Sequence, residues 1–349
     1  MTTRIALAGA GLIGRDHLAA LAATPGCELA AVVDPNPATA DIARTAGAPW
    51  YPRLPDLLEA DRPDGVVLAT PNPHHLPGAL ECMEAGVPVL VEKPLADSAE
   101  SARALHAEAE RRGATVLVGH HRTHSAIMRR AAEIIASGAL GDIVAVTGTA
   151  LFARPDSYFE TAPWRTQPGG GPILLNLIHE IHNLRIMCGE IERVQAITSN
   201  ATRGFAVEDT AAIVVGFASG ALGTFLLSDA VGSARSWEQT SQENPDYTTY
   251  PDEDCYHVAG TMGSLSVPTM RLKLFRSPAD RSWYLPMEES VARPERADPL
   301  CAQMAHFAAV VRGEARPLCT TRDGALNVLV VDAIKRSAAS GAVVDIDPL

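Results

Sequence analysis

Cysteine is scarce and unpatterned. The six thiols at Cys27, Cys82, Cys188, Cys255, Cys301 and Cys319 lie far apart with no C-x-x-C, a distribution that speaks against a disulfide framework or a zinc knuckle and points to a reducing cytoplasm. Positive charge is also short, with 29 Lys and Arg against 41 Asp and Glu and a net charge of −12, which argues against a nucleic-acid surface. No apolar run reaches the roughly 18 residues of a membrane helix. The stretch from Ile5 to Gly14 follows Arg4 like a signal peptide, but it is punctuated by glycine and runs into Arg15-Asp16-His17, so it reads as folded structure. There is no internal repeat and no low-complexity tract.

What is present is the composition of a soluble globular protein acting on a small molecule. The 349 residues, 47% hydrophobic, exceed twice the usual domain size of roughly 150, and the chain changes character near residue 125. Residues 1–124 alternate short Val- and Leu-rich runs with helical stretches, as a parallel sheet with crossover helices requires. The runs are Arg4–Ala8, Glu28–Val33, Gly65–Ala69, Val87–Val91 and Thr115–Val118. Between them Gly11–Ala23, Ala38–Ala46, Pro77–Ala85 and Ser98–Arg112 suit helices, with Asp97 or Ser98 as a polar start for the last. Residues 125–349 form the second domain. After a helix at Ala126–Ser137, strand signals at Ile143–Leu151, Val194–Thr202, Thr210–Phe217 and Ala221–Ser228 follow as neighbours without helices between them, predicting an antiparallel sheet. Ala218-Ser219-Gly220 reads as a hairpin loop, and Tyr256–Ala259, Gly263–Val267 and Arg271–Phe275 extend the sheet. Ser236–Asp254 reads as a long surface loop. Helices at Asp298–Arg312 and Arg322–Ser340, stopped by Gly341, end the chain and are expected to pack back toward the first domain. The expected fold class is an α/β Rossmann domain followed by an α+β domain with a large, mostly antiparallel open sheet.

Gly9-Ala10-Gly11-Leu12-Ile13-Gly14 is G-x-G-x-x-G directly after the first strand and opening a helix. The first glycine permits a tight turn, the second lets backbone approach a pyrophosphate, and the third lets helix and strand pack closely over a helix N-terminus. Asp34, twenty residues after Gly14 at the end of the second strand, can accept hydrogen bonds from the adenine ribose and repels a 2′-phosphate. NAD is therefore favoured over NADP.

Further along come Ala69-Thr70-Pro71-Asn72-Pro73-His74-His75 and Gly86-Val87-Pro88-Val89-Leu90-Val91-Glu92-Lys93-Pro94. With Gly119–Arg122, Gly138–Gly141, Trp164-Arg165, and Gly169–Gly171 leading to His179, these motifs resemble the Gfo/Idh/MocA oxidoreductases over essentially the whole chain. The resemblance implies hydride transfer with NAD on a secondary hydroxyl of a sugar, inositol or related cyclic polyol, and a homodimer or homotetramer formed through the second-domain sheet. It places Thr70, Asn72 and His75 along the cofactor, Glu92 near its ribose, Lys93 beside the substrate hydroxyl and His179 as the proton acceptor, with Lys93–Pro94 a candidate cis peptide. Histidine suits that role because its ordinary pKa lies near about 6.5, and a lysine cation favours a developing alkoxide.

One position departs from the pattern. Where relatives carry an aspartate four residues before the histidine, this chain has Leu175, and Asn176 follows at i−3. On a regular helix Asn176 would share a face with His179, but an amide orients groups without accepting a proton. Arg122, Trp164, Arg165, Asn176 and His182 are the candidate substrate contacts, since arginine offers a planar fork of donors and cannot act as a base. Arg122 and Arg165 are weighed against ordinary salt bridges. No metal is expected: His179-Glu180-Ile181-His182 is one residue short of H-E-x-x-H, and the group His120, His121 and His124 and the run Asp252–Cys255 with His257 lack ligand spacing. Three alternatives remain open: an NAD-recycling glycoside hydrolase or eliminase, a reductase or dehydrogenase of an imine or carboxylated dihydrodiol, and a nucleotide-binding regulator without turnover.

Overall fold

The computed structural model describes residues 2–349, and the chain divides into two compact units. The first holds the residues up to His124 together with Asp298–Val328; the second holds Ser125–Ala297 with Leu329–Pro348.

In the first unit six strands, β1 (Thr3–Ala8), β2 (Cys27–Val33), β3 (Trp50–Tyr51), β4 (Gly65–Leu68), β5 (Val89–Glu92) and β6 (Val116–Gly119), lie in the order 3-2-1-4-5-6. Every pairing is parallel. Their Val- and Leu-rich sequences are buried on both faces because helices α1 (Leu12–Ala23), α2 (Ala40–Thr45), α3 (Leu54–Ala60), α4 (His75–Glu84) and α5 (Ala99–Arg112) provide the crossovers. The strand order reverses between β1 and β4, which is where such sheets bind ligands beyond their strand ends. Ser98 is the cap of α5, accepting from Ser101 N at 3.1 Å. The expected helix at 38–46 is instead a 3₁₀ turn (Pro37–Thr39) followed by α2. The sequence reading passed over β3 and α3; β3 is two residues long, and its Trp50 packs against Val32 and Ala43 only in the folded chain.

The second unit begins with α6 (Ala126–Ala136) and builds a nine-stranded sheet from β7 (Ile143–Leu151), β8 (Ile191–Ser199), β9 (Thr210–Phe217), β10 (Leu222–Ser228), β11 (Tyr256–Gly260), β12 (Gly263–Val267), β13 (Arg271–Leu274), β14 (Glu288–Val291) and β15 (Val344–Asp345). Among the described residues three α-helices interrupt the run from β7 to β14, α7 (Ser157–Glu160), α8 (Ile178–Cys188) and α9 (Trp237–Ser241), so β7 and β8 are not the helix-free neighbours expected. The spatial order is 14-13-12-11-7-10-9-8-15. Hairpin β9–β10 turns at Gly220 with φ +86°. The sheet is not wholly antiparallel, because β7 and β10 pair in parallel at its centre, a partnership between distant segments that local sequence does not reveal. The second strand of this sheet starts three residues earlier than expected and ends at Ser199, since Ile191 is buried and pairs with Phe217 although charged neighbours disguise it. The expected surface loop at Ser236–Asp254 also contains α9, anchored by buried Trp237, whose Nε1 donates to Glu243 at 3.2 Å.

Helix α10 (Pro299–Val311), capped by Asp298, belongs to the first unit, and α11 (Thr321–Ser340) spans the boundary between them, ending at Gly341 with φ +73°. Among the described residues no helix is long and apolar enough to cross a membrane.

Candidate functional site

The glycine turn between β1 and α1 is built as the motif requires. Gly9 has φ +94°, and a Cβ there would meet Ala69 O at 2.5 Å; one on Gly14 would stand 2.1 Å from Gly9 O. Neither position admits a side chain. Gly11 is different, because a Cβ there meets nothing within 4 Å, so its glycine keeps space open at the N-terminus of the twelve-residue α1. Leu12 is exposed and Ile13 half-buried in the first turn. Asp34 accepts from Ala10 N at 2.9 Å through Oδ2 and from Asn36 N at 2.9 Å through Oδ1. Its half-buried carboxylate thus fixes the glycine turn from the end of β2 and keeps lone pairs for further donors. Open backbone at a helix N-terminus beside a fixed acid fits a dinucleotide.

Thr70 follows β4 with a buried hydroxyl that has no hydrogen-bond partner among the described residues. Asn72 opens a 3₁₀ turn and is half-buried. His75 is almost wholly buried, with Nε2 2.9 Å from Thr70 O and Nδ1 2.8 Å from Pro94 O. Burial pulls its imidazole below the ordinary range, against the pull of those two carbonyls, and a neutral ring donates to one of them at a time. His75 thereby braces the segment after β4 against the one after β5. Glu92, at the end of β5, is buried as well: Oε1 lies 2.7 Å from His17 Nε2, and Oε2 accepts from Lys93 N at 3.0 Å. Burial alone would raise its pKa, but the hydrogen bond and electrostatics of His17, with Lys93 and His121, hold it below the usual carboxylate range. Lys93 is half-buried and the Lys93–Pro94 peptide is cis. His17 was not expected from sequence, although its place with Gly14 and Leu21 on the buried stripe of α1 required a polar partner inside. Arg122 is also buried, in the turn His121–His124.

In the second unit the glycine run prepares a distorted helix. A Cβ on Gly170 would meet Arg165 Cα at 2.5 Å, and one on Gly171 would meet Glu208 Oε1 at 2.4 Å. That Glu208 oxygen accepts from Ile173 N at 2.9 Å and holds the start of a π-helical turn, Ile173–Leu177, which leads into α8. The regular helix expected here is therefore corrected. A wider turn alters which side chains stack within it, and Asn176 lies inside the π turn while His179 lies in α8. Asn176 is half-buried, and its Oδ1 accepts from Arg154 Nη2 at 2.6 Å. His179, Glu180, His182 and Asn183 on α8 are all buried. Tyr256 donates to Glu180 and accepts from Asn183 Nδ2 at 2.9 Å, fixing the helix against β11.

Trp164 is about half exposed, and Arg165 lies 3.7 Å from the Tyr158 ring centroid while donating to Tyr158 O at 2.8 Å. Arg154 stacks on the same ring at 4.3 Å. Tyr158 thus joins Arg165 to Arg154 and, through it, to Asn176. Arg154, Arg203 and Asp229 were not singled out from sequence; the only signal was Arg154-Pro155-Asp156 immediately after a strand. Arg203 Nε donates to Asp229 Oδ1 at 3.1 Å, with Arg154 Nη1 3.5 Å from Oδ2. Burial raises the Asp229 carboxyl, opposed by both arginines. Among the described residues no group of three His, Cys, Asp or Glu side chains is placed to hold a metal ion; Asp254 instead accepts from Thr269 N at 2.9 Å and Arg271 Nη2 at 2.5 Å.

Comparison with known proteins agrees with this geometry. The description "Oxidoreductase family, NAD-binding Rossmann fold" of GFO_IDH_MocA matches residues 3–120, and the GFO/IDH/MocA C-terminal domain matches residues 128–266. An inositol 2-dehydrogenase of Rubrobacter xylanophilus is 30% identical over 99% of this chain and 93% of its own length. The chain belongs to the Gfo/Idh/MocA family of oxidoreductases. Another family protein, an inositol 2-dehydrogenase of Rhizobium meliloti, is 25% identical over 97% of this chain and 98% of its own. Among solved structures, the WlbA dehydrogenase from Bordetella pertussis in complex with NADH and UDP-GlcNAcA superposes with a TM-score of 0.79 at 25% identity, covering 100% of both chains. As a Gfo/Idh/MocA protein this chain is an NAD(P)-dependent dehydrogenase with the family's two-domain fold.

Proposed function

We propose that the protein uses NAD in preference to NADP to oxidise a secondary hydroxyl of a sugar, inositol or related cyclic polyol. The observation that carries the reading is the Asp34 carboxylate, held by Ala10 N and Asn36 N beside the open Gly11, because an acid fixed there accepts ribose hydroxyls and repels a 2′-phosphate. Gly9, Gly11, Leu12, Ile13 and Gly14 would hold the pyrophosphate side of the dinucleotide, and Thr70 and Asn72 its nicotinamide side. His75 and Glu92 act by fixing the segments that carry Thr70 and Lys93.

The nicotinamide supplies the hydride chemistry when bound. His179 Nε2 or Nδ1 takes the hydroxyl proton, and the Lys93 ammonium stabilises the oxygen as that proton leaves. Asn176, with His182, Arg122, Trp164 and Arg165, orients substrate and cannot relay a proton in place of the missing aspartate. The polyol class rests on the inositol 2-dehydrogenases among the relatives.

Assembly would use the open face of the second sheet, where Val144, Ile197, Val214, Leu222 and Leu226 stand exposed on four strands. A contiguous apolar patch of this kind marks an interface in a folded protein.

The test is NADH appearance with inositols and sugars, alongside NAD titration. His179→Ala is expected to bind NAD as the parent does while turnover falls by about 10² to 10⁴, the usual contribution of a general base. Lys93→Ala is also expected to lose turnover, and full activity in both variants would remove the mechanism.

A further inference from the structure

We infer that Arg154 is an anchor for a substrate carboxylate, which makes the favoured substrate an acidic polyol, a sugar or cyclitol carrying one carboxylate, rather than a neutral one. The inference rests on the dehydrogenase reading above and narrows its substrate class.

Arg154 lines a cleft of about 800 Å³ with Ala153, Phe159, Thr202, Arg203 and Phe205. Its side chain is only 12% exposed, so the guanidinium is largely removed from bulk water, where charge-assisted hydrogen bonds are strong. Two of its five N–H donors are engaged, one with Asn176 Oδ1 at 2.6 Å and one with Asp229 at 3.5 Å. The other three have no partner among the described residues. Stacking on Tyr158 at 4.3 Å and Phe152 at 5.3 Å fixes the plane of the fork, so little rotamer entropy remains to be lost on binding.

The charged neighbours of Arg154 are themselves engaged. Arg203 donates to Asp229 Oδ1, Asp229 O and Arg154 O, and its Nη1 lies 3.6 Å from Asp156 Oδ1, so it is the closer counter-ion of Asp229. The other buried acid, Asp209, accepts from Thr202 N, Arg203 N and Thr210 Oγ1. Asp156 and Glu160 also line the cleft but are exposed, so water and salt screen them. A planar fork with unused donors suits a carboxylate. Asn176 holds Arg154 through a neutral amide, so it does not itself cancel the guanidinium charge.

The experiment measures binding and turnover separately on the full chain. Calorimetric titration with D-glucuronate and with D-glucose, without nucleotide, is expected to show at least a tenfold preference for the acid. Arg154→Leu should abolish that preference. Asn176→Asp places a carboxylate against the guanidinium and should abolish it too, which serves as the deciding variant if Arg154→Leu fails to fold. Equal affinity for the two sugars in the parent, or an undiminished preference in either folded variant, overturns the anchor. NADH formation then judges the other reading: preference for the acid with no NADH from any polyol leaves the anchor standing and removes the dehydrogenase assignment. Turnover of neutral polyols without the preference does the reverse.

Discussion

Replacing Glu92 by Gln tests whether a buried ion pair holds the Lys93 segment in place. The carboxylate is buried with His17 against it at 2.7 Å, and its second oxygen accepts from Lys93 N at 3.0 Å. Removing one partner of such a pair typically costs about 3–5 kcal/mol because the other charge is stranded. Here the amide oxygen can still accept from Lys93 N. The expected loss is then nearer the value of a charge-assisted hydrogen bond, about 1.5–3 kcal/mol. Because the folded Glu92 pKa lies below its ordinary value, its contribution is complete above the unfolded pKa of about 4.3 and is lost as pH falls through the folded pKa. Urea unfolding of parent and variant should differ fully at neutral pH and converge in acid. NAD affinity should fall as well, since the Lys93 backbone loses its charged anchor, and Glu92→Asp should recover part of it. A variant within about 0.5 kcal/mol of the parent, the scatter of ordinary surface substitutions, or a gap that is the same in acid, refutes the reasoning.

The two inner glycines of the nucleotide turn should separate by mechanism. Gly14→Ala drives a methyl to 2.1 Å from Gly9 O and should lower stability by about 1–3 kcal/mol as overpacking does, with NAD binding lost. Gly11→Ala meets no neighbour, so its melting temperature should match the parent while NAD titration shows weakened binding. Asp34→Ala removes the acceptor for Ala10 N and Asn36 N; the ratio of NADP to NAD affinity should rise about tenfold or more, about 1.4 kcal/mol, and an unchanged ratio contradicts the role given to this acid. Ile197→Asp, on the most exposed apolar side chain of β8, should shift light-scattering mass toward the monomer, and an unchanged mass excludes that face as the interface.

Much of this protein is written locally. The five longer parallel strands, the glycine turn, Asp34 and the helix caps are legible because each depends on neighbours close in sequence: a continuous apolar run, a glycine where φ is positive, a serine before a helix. The family motifs carry Glu92, Lys93 and His179 in the same way. What sequence could not supply are partnerships between distant segments. His17 meets Glu92 across 75 residues, and Arg203 meets Asp229 across 26. The parallel pairing of β7 with β10, the π turn imposed where Glu208 caps Ile173, and the engagement of His75 with Thr70 and Pro94 likewise arise from chain closure. Local propensity selects elements and marks residues able to do chemistry. Only tertiary packing decides which buried polar group meets which, because burying an unpaired charge costs more than any local preference can offset.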